Sequence, residues 1–313
     1  MDKKLEFVNH EKTILFIIEF IRLCPIPNID MKDLSIAIKK LRELDPKKYQ
    51  GEEPAFINQL ALCLEKIGKN YPERAKDSQK AAMRLFPDNA TIADIKIIPR
   101  DPCDSSIAGL GAKGTRATCR DRIPRVGQGP ALVVIPAPAK GKMFAIGKYE
   151  ISVDEINAYC QSTGKCQKLA EKNTDLPAVN LSTGIIRGYL RWLSAETKRN
   201  YRLPLYSEWL HAAKARRGVL DSNRNCTLKS RGIEKGGSLL KASVGKQNSW
   251  GLVNHIGNAQ ELVAKKGSGF RAVGGSNITP MESCDFNFNN PHNGTPDPYT
   301  AIRVLREIDD TSR

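Results

Sequence analysis

Apolar residues recur at helical spacing through the first part of the chain and lose that rhythm afterwards. From Glu11 to Leu23, the residues Ile14, Leu15, Ile17, Ile18 and Ile21 predict one helix with a single apolar face. Pro25 and Pro27 end it, because proline lacks the amide donor a helix interior needs. A second helix is predicted from Asp30, whose carboxylate suits an N-cap, through Leu34, Ile36, Ile38 and Leu41. A third spans Ala55 to Ile67, and a fourth runs from Pro72 to Leu85, closed by Phe86-Pro87-Asp88-Asn89. Helices joined by short turns predict a small bundle, with tetratricopeptide-like repeats as one arrangement; Tyr71-Pro72-Glu73-Arg74-Ala75 and Ala81-Ala82 carry that likeness. No catalytic constellation stands here, so packing or protein contact is the expected role.

Glycine marks where the character changes. Gly51 and Gly68 are the only two before residue 96, which leaves 22 of the 24 behind it. Glycine-rich, aperiodic sequence predicts short strands and long loops. The expected organisation is a helical region over 1–95, a linker with a Cys103/Cys119 loop over 96–128, and a domain over 129–308. Charge divides at the same place: residues 1–95 hold 16 Lys/Arg against 15 Asp/Glu, and the rest holds 33 against 19, nearly all of the net +15. These cations are scattered, with short clusters such as Lys214-Ala215-Arg216-Arg217 and Lys265-Lys266, and aromatics are 6% of the chain. A nucleic-acid groove interleaves a basic stripe with stacking aromatics, so sequence-specific nucleic acid is not the expected partner. A solvated basic surface, or a weak attraction to anionic polymers, fits better. The longest apolar run, Ile14-Leu15-Phe16-Ile17-Ile18, is bounded by Glu19 and Arg22 and is too short for a membrane span.

Eight cysteines carry the next information, and none form C-x-x-C pairs of the zinc type. Cys103 and Cys119 bracket a glycine-rich loop, and Cys160 and Cys166 bracket a short turn. Loops of that size close readily into disulfides, which among the six cysteines of the C-terminal part leaves Cys226 and Cys284 for each other. Such pairing favours a periplasmic or otherwise extracytoplasmic location. The absence of a signal peptide keeps a cytoplasmic protein with reduced thiols as the alternative.

From residue 132 the sequence becomes recognisable. Leu132-Val133-Val134-Ile135-Pro136-Ala137 precedes Phe144-Ala145-Ile146-Gly147-Lys148-Tyr149-Glu150-Ile151-Ser152. Then come Leu176-Pro177-Ala178-Val179, Tyr201-Arg202-Leu203-Pro204, Ser207-Glu208-Trp209 and Asn248-Ser249-Trp250-Gly251-Leu252. Gly257-Asn258-Ala259-Gln260-Glu261, Val273-Gly274-Gly275-Ser276 and Ala301-Ile302-Arg303 complete the series. In this order the motifs resemble the formylglycine-generating, sulfatase-modifying-factor family over residues 132–306. The resemblance implies an α+β, irregular C-type-lectin-like fold behind the small all-α region. It also resembles the outer segments of bacterial membrane serine/threonine kinases, although no kinase motif occurs here. Ser207 reads as the N-cap of a short helix bearing Trp209, Ala212 and Ala213.

The enzymes of that family oxidise a sulfatase cysteine with copper and oxygen, using two cysteines three and eight positions after the serine of Gly-Gly-Ser. Here those positions are Thr279 and Cys284. A hydroxyl does not replace a thiolate as a Cu(I) ligand, so the site reads as incomplete. Cys284 then stands either in a disulfide, as a buried thiol, or as the catalytic thiol of an oxidase with another ligand. The iron-dependent branch needs histidines from the helical part, which holds only His10. The family also binds calcium through an asparagine side chain, two carbonyls and a glutamate. The matching residues are Asn254, Gly257, Ala259 and Glu261, a set of hard oxygen donors suited to Ca²⁺. The expected function is therefore a non-catalytic binding or sensory module for a protein or envelope ligand. Its display face would carry Asn277, Asp285, Asn287, Asn289, Asn290 and His292. An active oxidase that matures sulfatases is the alternative.

Overall fold

The computed structural model describes residues 10–22, 24, 31–70, 72–95, 101–114, 117–230 and 233–308. Leu23, Pro25, Pro27, Asp30 and Tyr71, used above to place helix ends and repeats, lie outside the described residues. The chain divides into two compact units, Met1–Asp101 and Pro102–Arg313.

The described part of the first unit contains α1 (His10–Arg22), α2 (Met31–Leu44), α3 (Pro46–Asn70), α4 (Pro72–Leu85) and α5 (Ala90–Ala93). Its core gathers Ile17, Leu34, Ile38, Leu41, Leu60, Leu64 and Ile92. Not every apolar residue of the expected stripes points there. Leu15 is 64% and Ile18 51% exposed, while Ile17 is fully buried. At 100° per residue, Ile14 and Ile17 share a stripe, and Leu15 and Ile18 lie a quarter-turn round from it. Ile36 falls off the buried stripe of α2 for the same reason.

The third helix begins nine residues before the expected Ala55 and carries Pro54 inside it. Pro46 occupies the first helical position, where its missing amide hydrogen is harmless. Buried Tyr49 and Phe56, with ring centroids 6.5 Å apart, continue the apolar face across Pro54. Packing on both sides outweighs one lost backbone hydrogen bond. Cys24 and Cys63 form a disulfide, a pairing that spacing did not suggest.

The described part of the second unit runs β1 (Arg122–Ile123), β2 (Gly127–Gln128), β3 (Leu132–Ile135), β4 (Phe144–Gly147), α6 (Val153–Thr163), α7 (Thr183–Thr197), β5 (Tyr201–Arg202) and α8 (Tyr206–Lys214). It continues through β6 (Leu228–Ser230), β7 (Ile233–Lys235), β8 (Gln260–Ala264), β9 (Phe270–Val273), β10 (Asn289–His292), β11 (Thr300–Ala301) and β12 (Leu305–Glu307). Two four-stranded sheets, β3-β4-β12-β5 and β10-β9-β8-β11, are the largest. Both faces of β3 and β4 are buried, which is why these motifs read as continuous apolar runs. Ser152 caps α6 in a capping box with Glu155, and Ser182 caps α7.

Two expectations change here. From Pro102 onward the supposed linker belongs to this unit: Cys103 and Cys119 are bonded to each other and buried in its core. Buried Asp121 accepts from Arg306 Nε at 2.9 Å and from the Tyr201 hydroxyl at 2.7 Å, so long-range pairs fix this stretch. The cap of α8 is Leu205, two residues before Ser207. Glu208 accepts the Leu205 amide at 2.8 Å and is held by both terminal nitrogens of Arg202, so the helix is capped from within.

Candidate functional site

The turn between Asn254 and Glu261 is shaped by backbone that few residues adopt. Asn254 and Asn258 both have left-handed φ, 52° and 66°, which asparagine tolerates better than most side chains. This turn meets Glu150, just past β4, and Arg303, just before β12. Asn258 Nδ2 lies 3.1 and 3.0 Å from the two Glu150 oxygens, and the Ala259 amide donates to Oε1 at 3.1 Å. Burial nevertheless dominates Glu150 and pushes its pKa from 4.5 to about 8, while Arg303, Asn258 and Ala259 oppose the shift and Glu261 adds to it.

Glu261 is fully engaged. Arg303 Nε sits 3.0 Å from both of its oxygens, Nη2 sits 2.6 Å from Oε1, and Trp209 Nε1 donates to Oε2 at 2.8 Å. Three N–H donors thus converge on its two oxygens, the Nε hydrogen shared between them. Arg303 also donates to the carbonyls of Gly147 and Val253, stitching β4, the turn and β8 together. Asn254 turns its amide toward Glu150 and the Ala242 carbonyl instead. The expected calcium set therefore does not fit as a set: its only carboxylate is paired with a guanidinium, which repels a cation. No group of three or more His, Cys, Asp or Glu suited to a metal occurs among the described residues.

The Cys284 sulfur is bonded to Cys226, and both residues are fully buried. Two motif glycines make room for this bridge. A Cβ on Gly257 would lie 2.7 Å from Cys226 Sγ, and one on Gly275 would lie 2.8 Å from Cys284 Sγ. Arg224 clamps the adjoining turn by donating to the carbonyls of Cys284 at 2.7 Å and Met281 at 2.6 Å. Thr279 is buried, its hydroxyl accepting the Ser276 amide at 2.9 Å. A bonded sulfur and a committed hydroxyl do not fit a Cu(I) centre.

The expected display face is uneven. Asn277 is 4% exposed, and its carbonyl accepts from Thr227 and Gly237, so this residue supports the core. Asp285 holds the Asn287 amide in a local turn. Asn289, Asn290 and His292 lie on β10, paired with β9, where Arg271 donates to Asn289 and His292 accepts the Gly294 amide. Asn287 and Asn290 are exposed. Glu150, Arg303 and Trp209 were all inside quoted motifs, yet nothing local marked them as one charge network.

Residues 135–308 match the family model described as the sulfatase-modifying factor enzyme 1-like domain, more than half of the chain. The chain belongs to this sulfatase-modifying factor family. Among solved structures it is similar to PvdO from Pseudomonas aeruginosa, at 18% identity and a TM-score of 0.44, over 57% of this chain and 95% of that one. CarF matches at 17% identity and a TM-score of 0.43, over 61% and 96% of the two chains. Treponema denticola variable protein 1 matches at 15% identity and a TM-score of 0.42, over 61% and 92%. No curated relative matches the sequence. In this member of the sulfatase-modifying factor family the four disulfides of the chain, two of them inside the matched domain, favour an oxidising, extracytoplasmic setting. Among the described residues no helix is long and apolar enough to cross a membrane.

Proposed function

We propose that this protein is a sulfatase-modifying-factor-like module that binds a protein or envelope ligand in the periplasm and does not oxidise a substrate cysteine. The Cys226–Cys284 bridge carries this reading. With Cys284 bonded and threonine at position 279, neither position of the copper pair offers a thiolate. The exposed Asn287 and Asn290 remain available for ligand contact on the Gly274–Arg303 segment. The test is alkylation and peptide mass mapping of protein made in an oxidising compartment without reductant. A linked Cys226–Cys284 peptide, with no oxygen-dependent conversion of a C-x-P-x-R peptide in the presence of copper, is the expected result. An alkylated Cys284, with conversion that disappears in Cys284→Ser, would overturn the proposal in favour of the oxidase.

A further inference from the structure

The cluster Lys214-Ala215-Arg216-Arg217 has no part in the network around Glu261 or in the disulfide. It stands at the end of α8, where the chain reverses sharply. Ala215 has φ 47°, Gly218 has φ 58°, and the Gly218 amide returns to the Lys214 carbonyl at 2.7 Å. The reversal sets these cations around the mouth of a recess of about 350 Å³ and does not spread them along a helix. Lys246 and His255 also line it.

We propose that this recess is a binding site for a small molecule carrying tetrahedral oxyanion groups. Lys214, Arg216, Arg217 and Lys246 are exposed at its rim, and none has an ion-pair partner among the described residues. Asp221 is the one carboxylate of the lining, and its Oδ1 accepts the Asn223 amide. Four cations against one carboxylate, set around a concave wall, focus a positive potential into the recess. Guanidinium groups suit the geometry of phosphate-like oxygens, which they meet with paired donors.

The interior supplies an independent observation. His255 is only 7% exposed, stacks against Phe286, and leaves its buried Nδ1 without a hydrogen-bond partner. Buried polar atoms are normally satisfied, so an unpaired nitrogen on a ring that lines a basic recess leaves hydrogen-bonding capacity beside the space a ligand would fill. The carbonyls that end α8 would repel an anion, but they are covered. Asn248 donates to Ala212 and Ala213, the Ala215 amide to His211, and the Gly218 amide to Lys214. Val219, 68% exposed, and Leu220 add an apolar wall for an organic portion. A space of this size lies at the small end of ordinary ligand sites, which begin at about 300 Å³. The site shares no residue with the Thr279–Cys284 segment, so it stands whether or not that segment is catalytic.

The test is calorimetric titration of the full chain with sodium pyrophosphate at low ionic strength, with ring resonances of His255 followed by NMR. Saturable one-to-one binding is expected. The pair R216Q/R217Q should weaken it about tenfold, as expected when charge-assisted contacts are lost. The pair K165Q/K168Q, which removes the same charge from exposed positions elsewhere, should leave it within about twofold. The His255 resonances should shift along the same saturation curve. Equal weakening by both pairs would reveal diffuse attraction and overturn the proposal. So would unmoved His255 resonances, or capture by phosphatidylglycerol vesicles without pyrophosphate binding.

Discussion

Arg303 and Glu261 form a fully buried ion pair, with Nη2 2.6 Å from Oε1 and neither side chain more than 2% exposed. A pair taken this far out of water is tolerable only while each charge keeps its partner. Arg303→Leu should therefore cost about 3–5 kcal/mol, because Glu261 is left buried beside Glu150 without a cation. Urea unfolding measures this. A loss below about 1 kcal/mol, the range of an exposed ion pair, would show that the pair is solvated in solution.

The same pairing bears on calcium. A ligand that binds only the folded state raises stability by mass action. With Glu261 committed to the Arg303 guanidinium and Trp209, the thermal midpoint in EDTA should match that in millimolar calcium. A rise of several degrees would show that Glu261 leaves Arg303 for the ion.

Glu150 should make stability fall with rising pH. Its folded pKa, about 8, stands above the ordinary 4.5, so the folded chain holds a proton that the unfolded chain releases between those values. The stabilisation is complete below about 4.5 and is lost as pH rises through about 8. Glu150→Gln keeps an acceptor for the Asn258 and Ala259 donors without the charge. In EDTA, its unfolding free energy should be flatter from pH 5 to pH 9 than that of the parent. An unchanged slope would assign the pH dependence to another group.

The Cys226–Cys284 bridge spans 58 residues. Replacing both cysteines with alanine should cost about 4 kcal/mol by the loop-closure relation, read from denaturant midpoints without reductant. Reductant should lower the parent's midpoint and leave that of the double variant less affected.

Much of the second unit was legible because its signals are local. The apolar runs of β3 and β4 and three of the four disulfides follow from spacing or from residue type. The misplaced features each depend on partners that a single residue's type does not reveal. The third helix is expected from Ala55, yet it starts at Pro46, with Tyr49 and Phe56 packed on either side of Pro54. Ser207 is the expected cap, yet Arg202 and Glu208 place the helix start two residues earlier. Asn277 was read as a surface contact, but its backbone lies between Thr227 and Gly237.

The sequence by itself determined the family, the mixed α and β character, and that threonine and cysteine stand at positions 279 and 284, because identity and order of residues need no coordinates. Only the tertiary structure decided what each charge does. Glu261 meets Arg303 from 42 residues away, Asp121 meets Arg306 from 185, and His255 comes to lie behind Arg216 and Lys246. Electrostatic energy depends on separation and burial, and neither is a property of position along a chain.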